Sequence, residues 1–240
     1  MKLLIDCDFV VYKCCAAAES EIDFGDDVII VTSTFKDAYS CVKRELNRIA
    51  NKFGSFDEMI LFFSDSKNFR KDIQKDYKGH RNRKKPCGYR RVIKKLTEEY
   101  SVIRMPTLEA DDSMGIYSTK FPGNIIVSPD KDMRTIPCKL LAGEDLELIT
   151  RRQADRNWMA QALTGDTTDN YKGITGVGSV TANKILGDAK NLNDMWDIVV
   201  KEYEKKQGGY KEALLTARLA RILRSGDYNT KTGKVKLWKP

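Results

Sequence analysis

Four short apolar runs, three of which end on or run into acids, set the terms for any fold of this 240-residue chain. Lys2–Ile5 closes on Asp6 with Asp8 two residues later, and Met59–Phe63 closes on Ser64-Asp65. Asn124–Val127 opens into Ser128-Pro-Asp-Lys-Asp-Met133. The remaining run, Val102–Met105, leads into Thr107-Leu-Glu-Ala-Asp-Asp-Ser113. Runs this short and this apolar read as strands buried on both faces. Between them lie segments with helical spacing: Phe9–Ala18, a stretch from Phe35 carrying Ala38, Tyr39, Val42, Leu46, Ile49 and Phe53, and Gly88–Tyr100. A further helix is expected from an N-cap at Thr107 to about Lys120, where Glu109 and Asp112 share a face and Asp111 is turned about 100° away. Residues 19–33 show no clear pattern beyond a small strand at Val28–Val31. The alternation predicts an α/β fold, a mostly parallel sheet with helices on both faces. Parallel strands bring their C-terminal ends to one edge, where open sheets hold ligands.

After edge strands at Leu140-Leu141 and Leu146–Ile149 the pattern changes near Thr150. Arg151–Leu163, Leu192–Lys205 and Tyr210–Arg224 read as helices, and Lys234–Trp238 as a tail that pairs on an edge or docks. The expected organisation is an α/β core over 1–150 and a mainly helical region over 151–240.

Composition removes several chemistries. A hydrophobic content of 41% supports a real core, and no apolar run reaches membrane-spanning length. The N-terminus lacks the shape of a signal peptide, and six cysteines without CxxC pairing suit a reduced, intracellular chain without zinc. One histidine, His80, leaves no room for a multi-His metal site, and it sits in a lysine-rich loop. Charge is uneven: Lys67–Lys95 holds 13 Lys or Arg against Asp72 and Asp76, more than accounting for the net +8. Phe69, Tyr77 and Tyr89 sit among those charges, a mixture that favours contact with nucleic acid over a merely solvated loop.

The acids fall at element exits: Asp6 and Asp8; Asp65; Glu109, Asp111 and Asp112; Asp130 and Asp132; Asp166 and Asp169. An acid at a helix start needs no function, since the positive end of the dipole favours it. Five groups converging on one edge are different, because they repel and cannot all stay ionised without cations. All-oxygen ligation suits Mg²⁺ or Mn²⁺, and a pair of such ions can generate hydroxide and stabilise a leaving oxygen in phosphodiester hydrolysis.

Gly173-Ile-Thr-Gly-Val-Gly-Ser-Val-Thr-Ala-Asn-Lys-Ile-Leu186 reads as a helix–hairpin–helix, in which backbone amides at a helix start meet phosphate. A Rossmann nucleotide loop shares the glycine spacing but requires a preceding strand, which is missing.

In this order, Asp6, Asp65, Glu109-Ala-Asp111-Asp112, Asp130-Lys-Asp132 and Gly165-Asp-x-x-Asp-Asn170 resemble the 5′-nuclease superfamily of flap endonucleases and polymerase 5′-nuclease domains. Leu108-Glu-x-Asp-Asp-x-Met-Gly115, Asp130-Lys-Asp-x-x-Thr-Ile-Pro137, Ala220-Arg-Ile-Leu223 and Leu237-Trp-x-Pro240 are similar to the 5′→3′ exonucleases of short-tailed coliphages. The resemblance implies one metal site supported by Asp6, Asp65, Glu109, Asp111 and Asp112 and a second by Asp130, Asp132, Asp166 and Asp169. It implies that Lys78 and Arg81, assisted by Arg70, hold the scissile phosphate at the base of an arch over about 66–95. DNA contacts are expected at Gly173, Gly176, Val177, Gly178, Ser179, Thr181 and Lys184, with Lys84 and Lys85 in the basic segment and K⁺ at the hairpin.

Two departures stand out. Cys7 occupies a position where many relatives have glycine, and Asp8 follows; continued strand geometry would put Asp6 and Asp8 on one side, with Asp6 favoured as the inner ligand. The arch segment is also short.

The expected activity is Mg²⁺-dependent 5′→3′ hydrolysis of duplex DNA leaving 5′-phosphates, with flap cleavage and removal of RNA from RNA–DNA hybrids implied by the resemblance. The expected setting is a monomer in a bacterial host's cytoplasm, beside replication proteins and away from membranes. A PIN-like ribonuclease shares the scaffold but generally lacks the hairpin. A non-catalytic structure-specific DNA-binding protein would have been expected to lose carboxylates, which are all present.

Overall fold

A computed structural model describes residues 1–81, 84–206 and 208–240. Its elements are β1 (Lys2–Asp6), α1 (Cys7–Ala17), β2 (Ser20–Asp23), β3 (Ile29–Thr32), α2 (Phe35–Ala50), β4 (Glu58–Phe62) and α3 (Arg70–Ile73). There follow α4 (Tyr89–Glu99), β5 (Ser101–Ile103), α5 (Ala110–Lys120), β6 (Ile125–Val127), β7 (Cys138–Ala142), β8 (Asp145–Ile149) and α6 (Arg151–Thr164). The rest comprises β9 (Gly165–Asp166), β10 (Tyr171–Lys172), α7 (Ser179–Leu186), α8 (Leu192–Lys206), α9 (Gly209–Ala220), β11 (Tyr228–Asn229) and β12 (Lys234–Val235).

The main sheet runs β5-β4-β1-β6-β7-β8, parallel throughout except for β8, which turns back against β7. Side chains alternate along each strand, which is why every central run is apolar at each position. Leu3, Ile5, Met59, Leu61 and Ile125 face the side covered by Val11, Val42, Leu46, Val92 and Leu96 of α1, α2 and α4. Leu4, Ile60, Phe62 and Ile126 face the other side, against Ala110 and Met114 of α5 and Ala154 of α6. Helices therefore cover both faces, as expected. The register sets Asp6 level with Phe62 and Ile5 level with Val127, so the exits of β1, β4 and β6 lie together.

A second core gathers α6, α7, α8 and α9 around Trp158, Leu163, Met195, Tyr203 and Ala217. Helix α6 belongs to both cores, through Ala154 on one side and Trp158 on the other. No helix of the described residues is long and apolar enough to cross a membrane.

Four local expectations change. Residues 20–32 form an exposed antiparallel hairpin of β2 and β3. Helix α9 stops at Ala220, and Arg221 is extended with ψ 117°, which turns its carbonyl toward the core. The tail forms its own hairpin, β11 with β12, while Trp238 packs edge-on against Trp158 and Trp196. Small pairings also appear beyond Thr150, where β10 lies antiparallel to β9.

The segment after α9 lies directly on α5. A Cβ at Gly115 would stand 2.4 Å from the Leu223 carbonyl oxygen, closer than any real contact. Gly115→Ala is expected to push that segment outward and cost roughly 1–3 kcal/mol, read as a lower urea midpoint. An unchanged midpoint would contradict this packing.

Candidate active site

The strand exits open into one cavity of about 1160 Å³ that crosses the C-terminal edge of the sheet. Asp6 ends β1 and caps α1: its Oδ1 accepts from Phe9 N at 3.3 Å and its Oδ2 from Ser128 Oγ at 2.8 Å. Burial, helped by Asp8 and Asp130, pushes its carboxyl up to about 6 against those two hydrogen bonds. The chain turns helical at Cys7, so strand alternation does not relate Asp6 to Asp8, contrary to the geometry expected from the sequence. Asp8 accepts from Ser64 N at 2.8 Å and from the Tyr89 hydroxyl at 3.0 Å, which braces β4 and α4 against α1. Asp65 accepts from Thr107 N at 2.8 Å, and that amide, together with those of Ser66 and Lys67, lowers its pKa despite some burial.

Thr107 is not the helix cap. Its φ is 63°, and the cap is Glu109, in a capping box with Asp112. Placing the cap there aims the Glu109 carboxylate outward, toward the basic segment. Lys78 Nζ pairs with Glu109 and lies 3.4 Å from Asp169 Oδ2. The Tyr77 hydroxyl donates to Asp169 at 2.7 Å and lies 3.2 Å from Glu109 Oε2, and Arg81 Nη2 donates to Asp169 at 2.6 Å. Burial alone would raise the Glu109 pKa, but Lys78 and Arg70 hold it down to about 2. Lys78 stays firmly charged, since Glu109 and Asp169 outweigh its own desolvation.

Asp6, Asp111 and Asp132 form no ion pair among the described residues. Asp111 accepts no hydrogen bond among the described residues, and burial beside Asp6, Asp130 and Glu109 drives its pKa well above the carboxylate range. Asp132 is raised to about 6 by burial and by Asp130 and Asp166. Asp130 accepts from Asp132 N at 2.8 Å, and Asp166 accepts from Thr168 N at 2.7 Å with Lys131 Nζ 3.6 Å away. The edge thus divides into a neutralised half at Glu109 and Asp169 and a strained half at Asp6, Asp111 and Asp132. Among the described residues no three acids stand close enough to ligate one ion as the side chains lie.

Since Asp6 and Asp132 are raised to about 6, the folded chain binds protons more tightly than the unfolded chain, and stability falls as pH rises through that window. Glu109 acts oppositely, but only as pH falls below the ordinary glutamate range. In EDTA the melting temperature is expected to be higher near pH 5 than near pH 7.5, with divalent cation removing much of the difference. A melting temperature that falls on mild acidification would contradict this.

Asp112 and Arg70 depart from their expected roles. Asp112 is fully buried and outside the cavity lining. Arg70 grips it through Nη1 at 2.7 Å and Nη2 at 2.8 Å, and Leu223 N donates to it at 3.1 Å. The remaining Arg70 N–H groups go to Leu219 O at 2.9 Å, Arg221 O at 2.6 Å and Glu109 at 3.3 Å. With its donors spent on protein, Arg70 has none left for a phosphate, and Asp112 has no lone pair turned toward the other acids. Both orient Glu109 instead.

Around the expected hairpin the glycines do different things. Gly173 and Gly165 are packed backbone to backbone, a Cβ on Gly173 meeting Thr164 C at 2.2 Å. Gly176, with φ 79°, and Gly178 face open space. Val177 points into the helical core and donates its N–H to Ile174 O at 3.0 Å, so it presents no side chain outward. Ser179, Thr181 and Lys184 are exposed on α7, as are Lys84 and Lys85 in the basic segment. Lys85 lies over the Tyr89 ring at 4.6 Å. Part of the expected arch, residues 82 and 83, lies outside the described residues.

Sequence reasoning did not find the hydroxyls of Ser128 and Tyr89, which hold Asp6 and Asp8, or Gln161, whose side chain reaches Asp132. Only the position of Ser128, at a strand exit two residues before Asp130, carried a signal.

A family model described as 5′-3′ exonuclease, N-terminal resolvase-like domain, matches residues 2–159. The exonuclease of Escherichia phage T7 is 28% identical, aligning over 99% of this chain and 93% of that one. The exodeoxyribonuclease of Enterobacteria phage T3 is 27% identical over 99% and 92%. Among solved structures, the bacteriophage T5 flap endonuclease in complex with DNA and metal ions superposes with a TM-score of 0.60 at 15% identity, covering 91% of this chain and 85% of that chain. The catalytic core of Rad2 in complex with DNA substrate gives 0.50 at 12% identity, over 90% and 71%. These superpositions show the fold.

Proposed function

Because the chain belongs to the 5′-3′ exonuclease family, we propose that it is a divalent-metal-dependent nuclease that hydrolyses DNA from 5′ ends and at 5′ flaps. The observation that carries the mechanism is the group of uncompensated acids, Asp6, Asp111 and Asp132, facing a cavity whose other wall holds Lys78 and Arg81.

The donor set fits hard cations. Every candidate ligand is a carboxylate oxygen, and the carboxyls are raised by burial and then by one another's charge, both of which a divalent ion would offset. Asp6, Asp65, Glu109 and Asp111 would hold one Mg²⁺ or Mn²⁺, and Asp130, Asp132, Asp166 and Asp169 a second. When bound, a pair of such ions supplies an activated water and stabilises the leaving oxygen. The chain's own groups do the rest. Lys78 and Arg81 now neutralise Glu109 and Asp169, and a phosphodiester oxygen would take their N–H groups once cations replace them there. Tyr77 stands between Glu109 and Asp169, its single hydroxyl proton directed to the nearer Asp169. Gly176 and Gly178, open and without side chains, allow duplex backbone to approach the start of α7, with Ser179, Thr181 and Lys184 beside it. K⁺ on the carbonyls there, RNA removal from hybrids, 5′-phosphate products and action as a monomer among replication proteins belong to the same proposal. So does the division into a nuclease core to residue 150 and a DNA-binding region beyond it.

The reading is tested with 3′-labelled blunt duplex, 5′-flap duplex and 5′-RNA hybrid, each in Mg²⁺ and in EDTA. Shortening from the 5′ side that EDTA abolishes is expected on the first two, and cleavage of the third decides the hybrid activity. Tight binding without cleavage would replace this reading with a non-catalytic one.

A further inference from the structure

A smaller cavity, of about 470 Å³, opens at the start of α6. Strand β8 runs against β7, so Ile149 stands level with Cys138, the first residue of β7, at the sheet edge opposite the acids. Helix α6 then runs back toward the acids, where Gln161 and Asp166 line the larger cavity. At 1.5 Å per residue the two cavities lie about 15–20 Å apart along it. The turn at Gly176 and Gly178 also belongs to the far end of α6, because Gly173 packs on Thr164. The smaller cavity therefore faces away from both the acids and the proposed duplex surface.

Three exposed cations line it: Arg151 and Arg152 from the first turn of α6, and Lys190 from the turn before α8. The side chains of Arg151 and Lys190 make no hydrogen bond or ion pair among the described residues. Arg152 donates to Ala189 O at 3.3 Å, which ties the two segments together. The helix starts are already satisfied, by the capping box of Thr150 and Gln153 on α6 and by Asn191, which accepts from Asp194 N at 3.0 Å, on α8. The nearby carboxylates are engaged as well. Asp155 in the wall pairs with buried Arg224 at 2.5 Å, and Asp194 accepts from Asn191 Nδ2 at 2.9 Å. Positive charge is in excess even below the surface, where burial, Arg221 and Arg151 lower the Arg224 pKa against the hold of Asp155. Arginines elsewhere meet carboxylates, as Arg48 does with Glu45 and Glu144 and Arg134 with Glu147. The floor between the three cations is apolar, Leu192 over buried Met195, and no aromatic ring lines it among the described residues. A nucleic-acid strand would find nothing there on which to stack a base, and a stiff duplex does not enter so small a concavity. An extended acidic peptide suits both features, with carboxylates on the cations and an aliphatic side chain on the floor.

We propose that this cavity is a docking site for an acidic, aliphatic-containing peptide segment of a protein partner. Carboxylates of the segment pair with Arg151, Arg152 and Lys190, and an aliphatic side chain lies on Leu192. Because the site faces away from the acids, partner and DNA are held at the same time, and neither displaces the other.

The test follows the anisotropy of a labelled decapeptide of aspartate, glutamate and leucine on the full chain, alone and saturated with 5′-flap duplex in Ca²⁺. The duplex covers the basic segment around Lys78, which would otherwise attract any polyanion. Arg151→Ala, Arg152→Ala and Lys190→Ala combined are expected to weaken peptide binding about 10-fold or more, in the free chain and in the DNA complex alike. The triple variant is expected to keep the wild-type melting temperature, since the three side chains are exposed, and the wild-type affinity for duplex. A peptide with serine in place of leucine is expected to bind more weakly to wild type, and one with asparagine and glutamine in place of the acids not at all. Equal peptide affinity in wild type and the triple variant, or no binding to either, overturns the proposal. So does displacement of the peptide by duplex, or a matching loss of duplex affinity in the variant, since either would make the cavity part of the DNA surface.

Discussion

Asp111→Asn is expected to raise the melting temperature in EDTA and, in Mg²⁺, to leave less than about 1% of wild-type turnover. The two effects have one cause. Asp111 is half-buried beside Asp6, Asp130 and Glu109 with no described donor, so its charge opposes the fold at neutral pH. Asparagine removes the charge at nearly constant volume, relieving its neighbours, and removes an anionic oxygen that a divalent cation would need. DNA binding in Ca²⁺ is expected to persist, since Lys78, Arg81 and the α7 surface are untouched. Activity and thermal scans on the same preparation check the pair of effects. A variant that lost stability would show that Asp111 is held by contacts other than those described, and one that cut normally would remove it from the metal site. Asp130→Asn is expected to lose turnover likewise, and its amide oxygen can still accept from Asp132 N at the turn that follows.

Arg70→Met is expected to be among the most damaging substitutions in the molecule, lowering stability by about 3–5 kcal/mol. Removing the guanidinium strands a fully buried Asp112 carboxylate and leaves the Leu219 and Arg221 carbonyls without their donor. At about 2–4 °C per kcal/mol for a chain of this size, the melting temperature should drop by about 10 °C. Asp112→Leu alone should be comparably harmful, whereas the double substitution should cost less than the two singles combined, because no unpaired charge remains. Were Asp112 a metal ligand, Asp112→Asn would shift the Mg²⁺ requirement with little change in melting. A large fall in melting temperature is expected instead.

The sheet could be read from the sequence because its strands are buried on both faces. Lys2–Ile5, Met59–Phe63 and Asn124–Val127 had no alternation to misinterpret, and each exit residue followed from the strand end. The β2–β3 hairpin lacked that signal: it is exposed throughout, so its residues answer to no core periodicity. Side-chain partnership was harder still. Glu109, Asp111 and Asp112 are three acids in four positions, yet one pairs with lysine, one has no donor and one is locked to arginine. Their difference arises from Lys78, Arg70 and Leu223, which approach from distant segments. Thr107 shows the same limit at the backbone. It has the chemistry of a cap, but the turn that lets its N–H reach Asp65 gives it a left-handed φ, and the cap moves to Glu109.

The Arg70 clamp also fixes when the site can exist. Its partners Leu219 and Arg221 come 149 and 151 residues after it, and Leu223 reaches Asp112 across 111 residues. A ribosome delivers the N-terminal portion first, at about 5–20 residues per second, so the sheet and every candidate metal-binding acid emerge well before the segment that orients Glu109. During that interval the carboxylates are present but the arginine beside them has no carbonyls to hold it. The nascent chain thus displays its carboxylates before the segment that orients Glu109 has been made.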